Sequence, residues 1–429
     1  MKIGIIGSGH VGLVTGSCFA DLGNEVVCMD HDVAKIKLLS SGRIPFYEPG
    51  LLELVQKNTE EGRLKFVTNI SDVVKFAKII FLCVGTPPGN SGEADLSAIR
   101  HVAQGIAKSL SEYRLIVEKS TVPVETGAQL YRMIKKFVKR RNSFDVASNP
   151  EFLREGTALQ DFFNPDRIVL GVENSRAKKL LLELYKPFKV PIVVTDIRSA
   201  ELTKHASNSF LATKISFINL VSQICDKVGA DIGKVAEGMG ADRRIGRAFL
   251  NAGIGFGGSC FPKDLAAFIH IAEKLNISSD LLREVFEINE VQKINFSEKV
   301  LKVLKSLKGK TLAVLGLAFK PDTDDIRNAP AVDILKHLKR EGAKIKVYDP
   351  QAVSGAKEIL KDIRFVKNSY EACRGADAVL VMTEWREFRE LDLNRLKRSL
   401  KRPIIIDGRN IYDPLVMKRH GFSYHSVGR

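Results

Sequence analysis

"MKIGIIGSGHVGLVTGSCFADLGNEVVCMD", residues 1–30, is the stretch on which the fold turns. An apolar run breaks at Gly7, Gly9 and Gly12, the period becomes helical, and a second apolar run closes on Asp30. A lysine, an apolar run and small residues also mimic a secretory signal, but the glycine spacing and the continuing pattern select strand, turn, helix and strand. Glycines spaced this way permit a tight turn and let the backbone, Val11 included, approach a pyrophosphate at a helix N-terminus. Asp30 follows Gly12 by eighteen residues. It suits the adenine-side ribose, and its charge repels a 2′-phosphate, so the expected cofactor is NAD rather than NADP.

Outward from this unit, "KIIFLCVGT", "RLIVEKST", "FDVASN" and "RIVLGV" read as further strands separated mostly by helical patterns. This implies a mainly parallel sheet with helices on both faces. From about 197 to 306 the strands stop. Residues 199–229 read as one long amphipathic helix and 280–306 as another. Strands resume at "KTLAVLGLAF", "AKIKVYDP", "ADAVLVMTEW" and "RPIIIDGRN". The two ends echo each other, each with a strand, a helix, a strand ending in aspartate and a buried strand. The expected fold is α/β: two Rossmann-like doubly wound domains, 1–196 and 307–429, joined by a central helical segment, 197–306, with the active cleft between them. The second domain lacks the glycine pattern. Its "GLAFKPDTDDIR" (316–327) is either a charged surface loop or a site for a second phosphorylated ligand.

Composition bounds the class. Of 429 residues, 45% are apolar and 27% charged, as in an ordinary soluble globular protein. The net charge of +16 is spread along the chain, and the dense runs at 135–141 and 396–402 read as solvated helix faces. Small anionic ligands, not nucleic acid, are the expected use of that excess. Six cysteines with no CxxC or Cys/His cluster point away from metal and from a disulfide framework, and fit a reducing cytoplasm. No stretch is long and apolar enough to span a membrane.

Three local patterns carry chemistry. "GFGGSCFPKD" (255–264) sets Cys260 just before an expected helix N-terminus, where dipole and free N–H groups favour a thiolate. Asp264 follows it by four residues. "ELTKHASN" sets Lys204 and Asn208 on one helix face, and "NPEFLREG" sets Glu151 and Glu155 likewise after a strand. Each also has a plain reading: a solvated lysine, a surface glutamate pair, a helix-starting aspartate. Cys18, Cys28, Cys83 and Cys225 sit in apolar runs and read as core, and His205 as a bystander. A dehydrogenase that only interconverts alcohol and carbonyl needs no nucleophile. A thiolate can add to an aldehyde, so that a second hydride leaves a thioester for water to release as an acid. The chemistry that uses all these groups is alcohol to carboxylate.

With "VGTP", "KSTVPVET", "NPEFLREG", "PDRIVLGV", "ELTKHASN", "DRRIGRAFLNAGIGFGGSCFPKD", "LGLAFKPDTDDIR" and "DGRNIYDP" in order, the chain resembles the UDP-glucose/GDP-mannose dehydrogenase family over essentially its whole length. Glu125 departs from the family's "VGT". The resemblance implies oxidation of UDP-glucose at C6 to UDP-glucuronate with two NAD and one water. It implies Cys260 as the nucleophile, Lys204 and Asn208 on the oxyanion, and Asp264 with an ordered water assisted by Thr121 and Glu151. Gly7, Gly9, Val11, Gly12, Asp30, Lys35, Thr86, Thr121, Glu155, Lys263 and Arg327 correspond to NAD contacts. Glu151, Phe152, Leu153, Lys204, Asn208, Phe249, Leu250, Asn251, Gly253, Gly257 and Lys320 correspond to the UDP-sugar cradle, which gives the second Rossmann-like domain its UDP. Arg244 corresponds to an arginine reaching a neighbouring subunit's site, implying at least a dimer built on the long helix. UDP-N-acetylmannosamine and GDP-mannose oxidation are the competing activities within the family. Hydroxyacid dehydrogenases share the lysine–asparagine pair but lack the thiol and second domain, and a non-catalytic NAD-binding module is the remaining alternative.

Overall fold

The computed structural model describes residues 1–87, 89, 93–138 and 143–429, and divides into two compact units. One comprises Met1–Ser207 with Ala266–Ile277, the other Asn208–Leu265 with Ser278–Arg429. Residues 197–306 are thus distributed between the two units.

The first unit is built on eight strands: β1 (Lys2–Ile6), β2 (Glu25–Met29), β3 (Leu64–Val67), β4 (Ile79–Leu82), β5 (Arg114–Glu118), β6 (Phe144–Ser148), β7 (Ile168–Val172) and β8 (Ile192–Thr195). They lie in the order β3-β2-β1-β4-β5-β6-β7-β8, with the β6–β7 pair antiparallel and the rest parallel. Successive residues of the central strands enter different cores. Ile3, Ile5, Ile79, Phe81, Leu115 and Val117 join one buried cluster, while Ile6, Ile80, Leu82 and Ile116 join another. A strand covered on both faces must be apolar at every position, which is why these strands read as unbroken apolar runs.

The second unit carries β9 (Thr311–Leu315), β10 (Lys344–Tyr348), β11 (Arg364–Phe365), β12 (Ala378–Val381), β13 (Ile404–Asp407) and β14 (Ser423–Ser426). Their order, β11-β10-β9-β12-β13-β14, is parallel throughout and repeats the order of the first sheet from its edge strand β3 to β6. The helix Ile197–Val228 spans 32 residues, and a helix Asp280–Leu304 follows in the second unit. The expected run at 135–141 is not a helix face: the helix Thr126–Lys135 ends at its first lysine, and 139–141 lie outside the described residues. In the other run, the helix Leu393–Ser399 buries Leu396 and exposes Lys397 and Arg398. Among the described residues no helix is long and apolar enough to cross a membrane.

Candidate active site

In the first unit the glycine turn links β1 to the helix His10–Asp21. Gly7 has φ of 100°, and a Cβ there would stand 2.5 Å from the Cys83 carbonyl oxygen. A Cβ on Gly12 would run into the Gly7 carbonyl, whereas one on Gly9 would meet nothing within 4 Å. Two glycines therefore close the turn and the third leaves an open face at a helix N-terminus, which fits a dinucleotide pyrophosphate. Asp30 ends β2 and is buried, accepting the Ser8 amide at 3.0 Å, the Asp32 amide at 3.1 Å and Lys35 Nζ at 2.9 Å. Burial alone would raise its carboxyl, but Lys35 and the two amides outweigh it and hold the group below the usual carboxylate range. An ionised acceptor at this strand end fits a ribose diol. Thr86 follows β4, and its hydroxyl donates to the Thr121 carbonyl at 2.8 Å.

Glu151 and Lys204 meet within this unit. Lys204 Nζ lies 3.0 Å from Glu151 Oε1, and both side chains are about 5% exposed. Glu151 Oε2 accepts the Leu153 amide at 2.5 Å. Phe152 stacks with the Arg167 guanidinium 3.5 Å from its ring centre, and Lys204 Nζ is 5.3 Å from the same ring. The expected helical pairing of Glu151 with Glu155 does not form. Residues 151–154 lie in a loop that begins after β6, and the next helix starts only at Ala158. Glu155 is half-buried further along that loop.

In the second unit Cys260 directly precedes the helix Phe261–Lys274, and its carbonyl accepts the Asp264 amide at 2.8 Å. Cys260 is half-buried with Sγ 3.6 Å from Ser259 Oγ, whereas the other five cysteines are buried. Burial pushes the Cys83 and Cys373 thiols up to about 12. Asp264 is 1% exposed and accepts Asn208 Nδ2 at 2.5 Å and Lys263 Nζ at 2.6 Å. Buried Asn208 and Asp264 and half-buried Lys263 thus form one polar group a turn beyond the thiol.

The segment 249–258 is fixed in the same unit by groups that sequence reading missed. The Gly253 amide donates to Asn219 at 2.9 Å and its carbonyl accepts Gln292 at 2.7 Å, while the Phe256 amide donates to Asn289 at 2.7 Å. Gly257 has no room for a Cβ against the Asn328 carbonyl. Leu250 is buried, Phe249 adopts a left-handed φ of 64°, and Asn251 is exposed. Arg409 donates to the carbonyls of Met382, Gly255 and Phe319, so "DGRN" stitches this segment to the ends of β9 and β12. Lys320 is half-buried with Nζ 5.5 Å from the Phe319 ring centre. Arg327 pairs with Asp325 at 2.7 Å, and the exposed Arg244 pairs with Asp242 at 2.6 Å. The missed groups share a signal: asparagine and glutamine at apolar positions of amphipathic helices, each buried and each bonded to loop backbone.

Lys119 was also missed. It ends the β5 run, is 5% exposed, and donates to Asn149 Oδ1 at 3.1 Å, an atom that also accepts Tyr185 OH. Burial pushes its amine down to about 8. Its position at the carboxyl end of a central parallel strand was the available clue.

Three descriptions of the UDP-glucose/GDP-mannose dehydrogenase family match the chain: the NAD-binding domain over residues 1–189, the central domain over 198–291, and the UDP-binding domain over 313–414. The chain is 49% identical to UDP-glucose 6-dehydrogenase TuaD of Bacillus subtilis (strain 168), covering 100% of this chain and 93% of that protein. A UDP-glucose dehydrogenase structure from Pyrobaculum islandicum superposes with a TM-score of 0.92 at 37% identity, covering 99% of this chain and 97% of that one. A UDP-D-ManNAc dehydrogenase from Pyrococcus horikoshii reaches 0.87 at 26% identity, covering 100% and 99%.

Proposed function

This chain belongs to the UDP-glucose/GDP-mannose dehydrogenase family, and we infer that it is an NAD-dependent oxidoreductase that converts UDP-glucose to UDP-glucuronate. Bound NAD supplies a hydride acceptor, used twice per turnover. The chain's own groups do the rest. As hydride leaves C6 for NAD, the C6 hydroxyl proton passes through the ordered water to Asp264, while Lys204, ion-paired with Glu151, steadies the negative charge developing on the oxygen. Cys260 Sγ then adds to the C6 aldehyde, forming a C–S bond and a thiohemiacetal, with Lys204 and Asn208 assigned to stabilise its oxygen. Loss of the second hydride leaves a thioester. Water attacks it, the C–S bond breaks, and the thiol returns with UDP-glucuronate released. Asp264 accepts the water's proton, with Thr121 and Glu151 orienting that water.

One observation carries the covalent step: Cys260 alone among six cysteines is not buried, and it begins a helix whose Asp264 is gripped by Asn208 and Lys263. We assign residues 1–196 to NAD, 197–306 to the active site and dimerisation, and 307–429 to UDP, a division paralleled by the three matching family domains. The long helix supports a dimer, because Phe210, Phe217 and Ile224 recur every seven residues and are 66%, 48% and 54% exposed. The enzyme is assigned to the cytoplasm, where free thiols persist.

The test offers UDP-glucose, UDP-N-acetylmannosamine, UDP-galactose and GDP-mannose separately with NAD and follows NADH absorbance. UDP-glucose should give the highest kcat/KM, with two NADH per sugar consumed. Cys260→Ala should form little or no UDP-glucuronate, yet slowly reduce UDP-glucose 6-aldehyde with NADH. Near-normal UDP-glucuronate formation by that variant would make the thiol structural and sink the mechanism.

A further inference from the structure

The loop from Lys119 to Glu125 carries Thr121, and the long helix holds this loop and the first turn of the helix Thr126–Lys135 at three backbone groups. Glu201 accepts the Glu125 amide at Oε2 and the Gly127 amide at Oε1, each at 2.7 Å. One turn on, His205 Nε2 donates to the Val122 carbonyl at 2.8 Å. His205 is therefore no bystander. Both side chains are buried, and Lys204 lies between them in sequence. The grip has a local reason. Glu125 has φ of 78°, a left-handed conformation that favours glycine, and it stands where the family pattern has glycine. An amide held by a carboxylate keeps the strained residue in place.

A second carboxyl group converges on the same point. Glu118 ends β5 and is 1% exposed. A Cβ placed on Gly127 would lie 3.0 Å from Glu118 Oε2 and 3.4 Å from Glu201 Oε1. Neither Glu118 oxygen accepts a hydrogen bond from any described donor. Two buried carboxylates this close repel unless a proton lies between them, and a protonated Glu118 can donate to Glu201.

We propose that Glu118, Glu201 and His205 form a positioning cluster, with one proton shared between the two carboxyl groups, that fixes the Thr121 loop against the turn of the long helix bearing Lys204. The proposal rests on the roles given above to Thr121 and Lys204. Burial raises both groups above the ordinary value of 4.5; Glu201 raises Glu118 further, whereas the Gly127 and Glu125 amides and the bond with Glu118 offset part of the rise at Glu201. The other charged groups facing the pair are Glu125, which raises Glu201 further, and Arg198, whose guanidinium is 3.7 Å from the Glu125 carboxylate. His205 faces the loop from the helix. A raised carboxyl binds its proton more tightly in the folded chain. Its stabilising contribution is complete below 4.5 and is lost as pH rises through the raised value.

Glu118→Gln puts a permanent N–H donor where the proton sits. Melting temperature and kcat are followed from pH 5 to 10 for the wild type, Glu118→Gln and Glu118→Ala. Glu118→Gln should retain neutral-pH turnover and flatten the alkaline decline of both quantities. Glu118→Ala should lower kcat more than tenfold with KM for UDP-glucose changed less than threefold, and amide rescue by Gln should separate it from simple loss of packing. Superimposable pH profiles for wild type and Glu118→Gln, or full kcat in Glu118→Ala, would overturn the proposal. Melting needs no substrate, so it decides the carboxyl pair even if UDP-glucose yields no NADH in the wild type, a result that would count against the assigned reaction instead.

Discussion

Asp30 illustrates what a single residue can disclose. Its place eighteen residues beyond Gly12 marked it as a ribose acceptor, and the structure puts it, ionised, at the end of β2 beside Ser8. Asp30→Ala should therefore lower kcat/KM with NAD by the equivalent of about 1.5–3 kcal/mol, the range for hydrogen bonds to a charged group. It should narrow the preference over NADP, because the charge that repels a 2′-phosphate is gone. Equal kcat/KM for the two cofactors in the unmodified enzyme would remove the basis of this assignment. Glu118 and Lys119 were not legible in the same way. In "RLIVEKST" they look like the polar end of a strand turning toward solvent, and only the covering chain reveals that both are buried. Burial of a charged residue depends on distant partners such as Glu201 and Asn149, so no local pattern encodes it.

At the scale of elements, the sequence was most readable where both faces of a strand are covered. β1, β2, β4–β7, β9, β10, β12 and β13 correspond to the apolar runs. The strands that escaped notice lie toward sheet edges: β3 and β8 end the first sheet, and β11 and β14 end the second. They are two to four residues long, and their burial is broken, as in Ile192–Thr195, where no residue is fully buried. An edge strand needs few apolar residues, so its period-2 signal is weak. The long helix was legible as a helix, and its exposed apolar stripe is the feature on which the proposed dimer rests. Phe217 and Ile224 are large side chains at heptad spacing on a helix of about 48 Å. Ile224→Glu should bury a charge in a helix–helix interface, converting dimers to monomers in light scattering at micromolar concentration. A variant with the mass of the wild type would mean that this stripe is not the subunit contact.

The whole molecule repeats one sheet order and puts it to different uses. Asp30 and Asp349 both follow the second strand of their sheets. Asp30 accepts from two amides and from Lys35, a side chain that a ligand can displace. Asp349 is saturated by its own unit. Its Oδ2 takes the Leu317 and Ala318 amides and the Trp385 indole, and its Oδ1 takes the Gln351 and Ala352 amides. No acceptor remains there for a ribose, and Ala318 and Lys320 occupy the turn where the first unit has open glycine. These differences support the proposed reading, in which the second unit takes a nucleoside diphosphate rather than NAD and Lys320, beside the Phe319 ring, is the cation assigned to its phosphates. Lys320→Ala should weaken UDP and UDP-glucose about tenfold or more in calorimetric titration and leave NAD affinity within twofold, because removing a phosphate-facing ammonium affects only the ligand whose charge it balances. Asp30→Ala should show the converse selectivity, weakening NAD and sparing UDP. If Lys320→Ala instead weakened NAD and left UDP untouched, the two sheets would have to exchange ligands, and the saturation of Asp349 would no longer explain why one pattern carries glycines and the other does not.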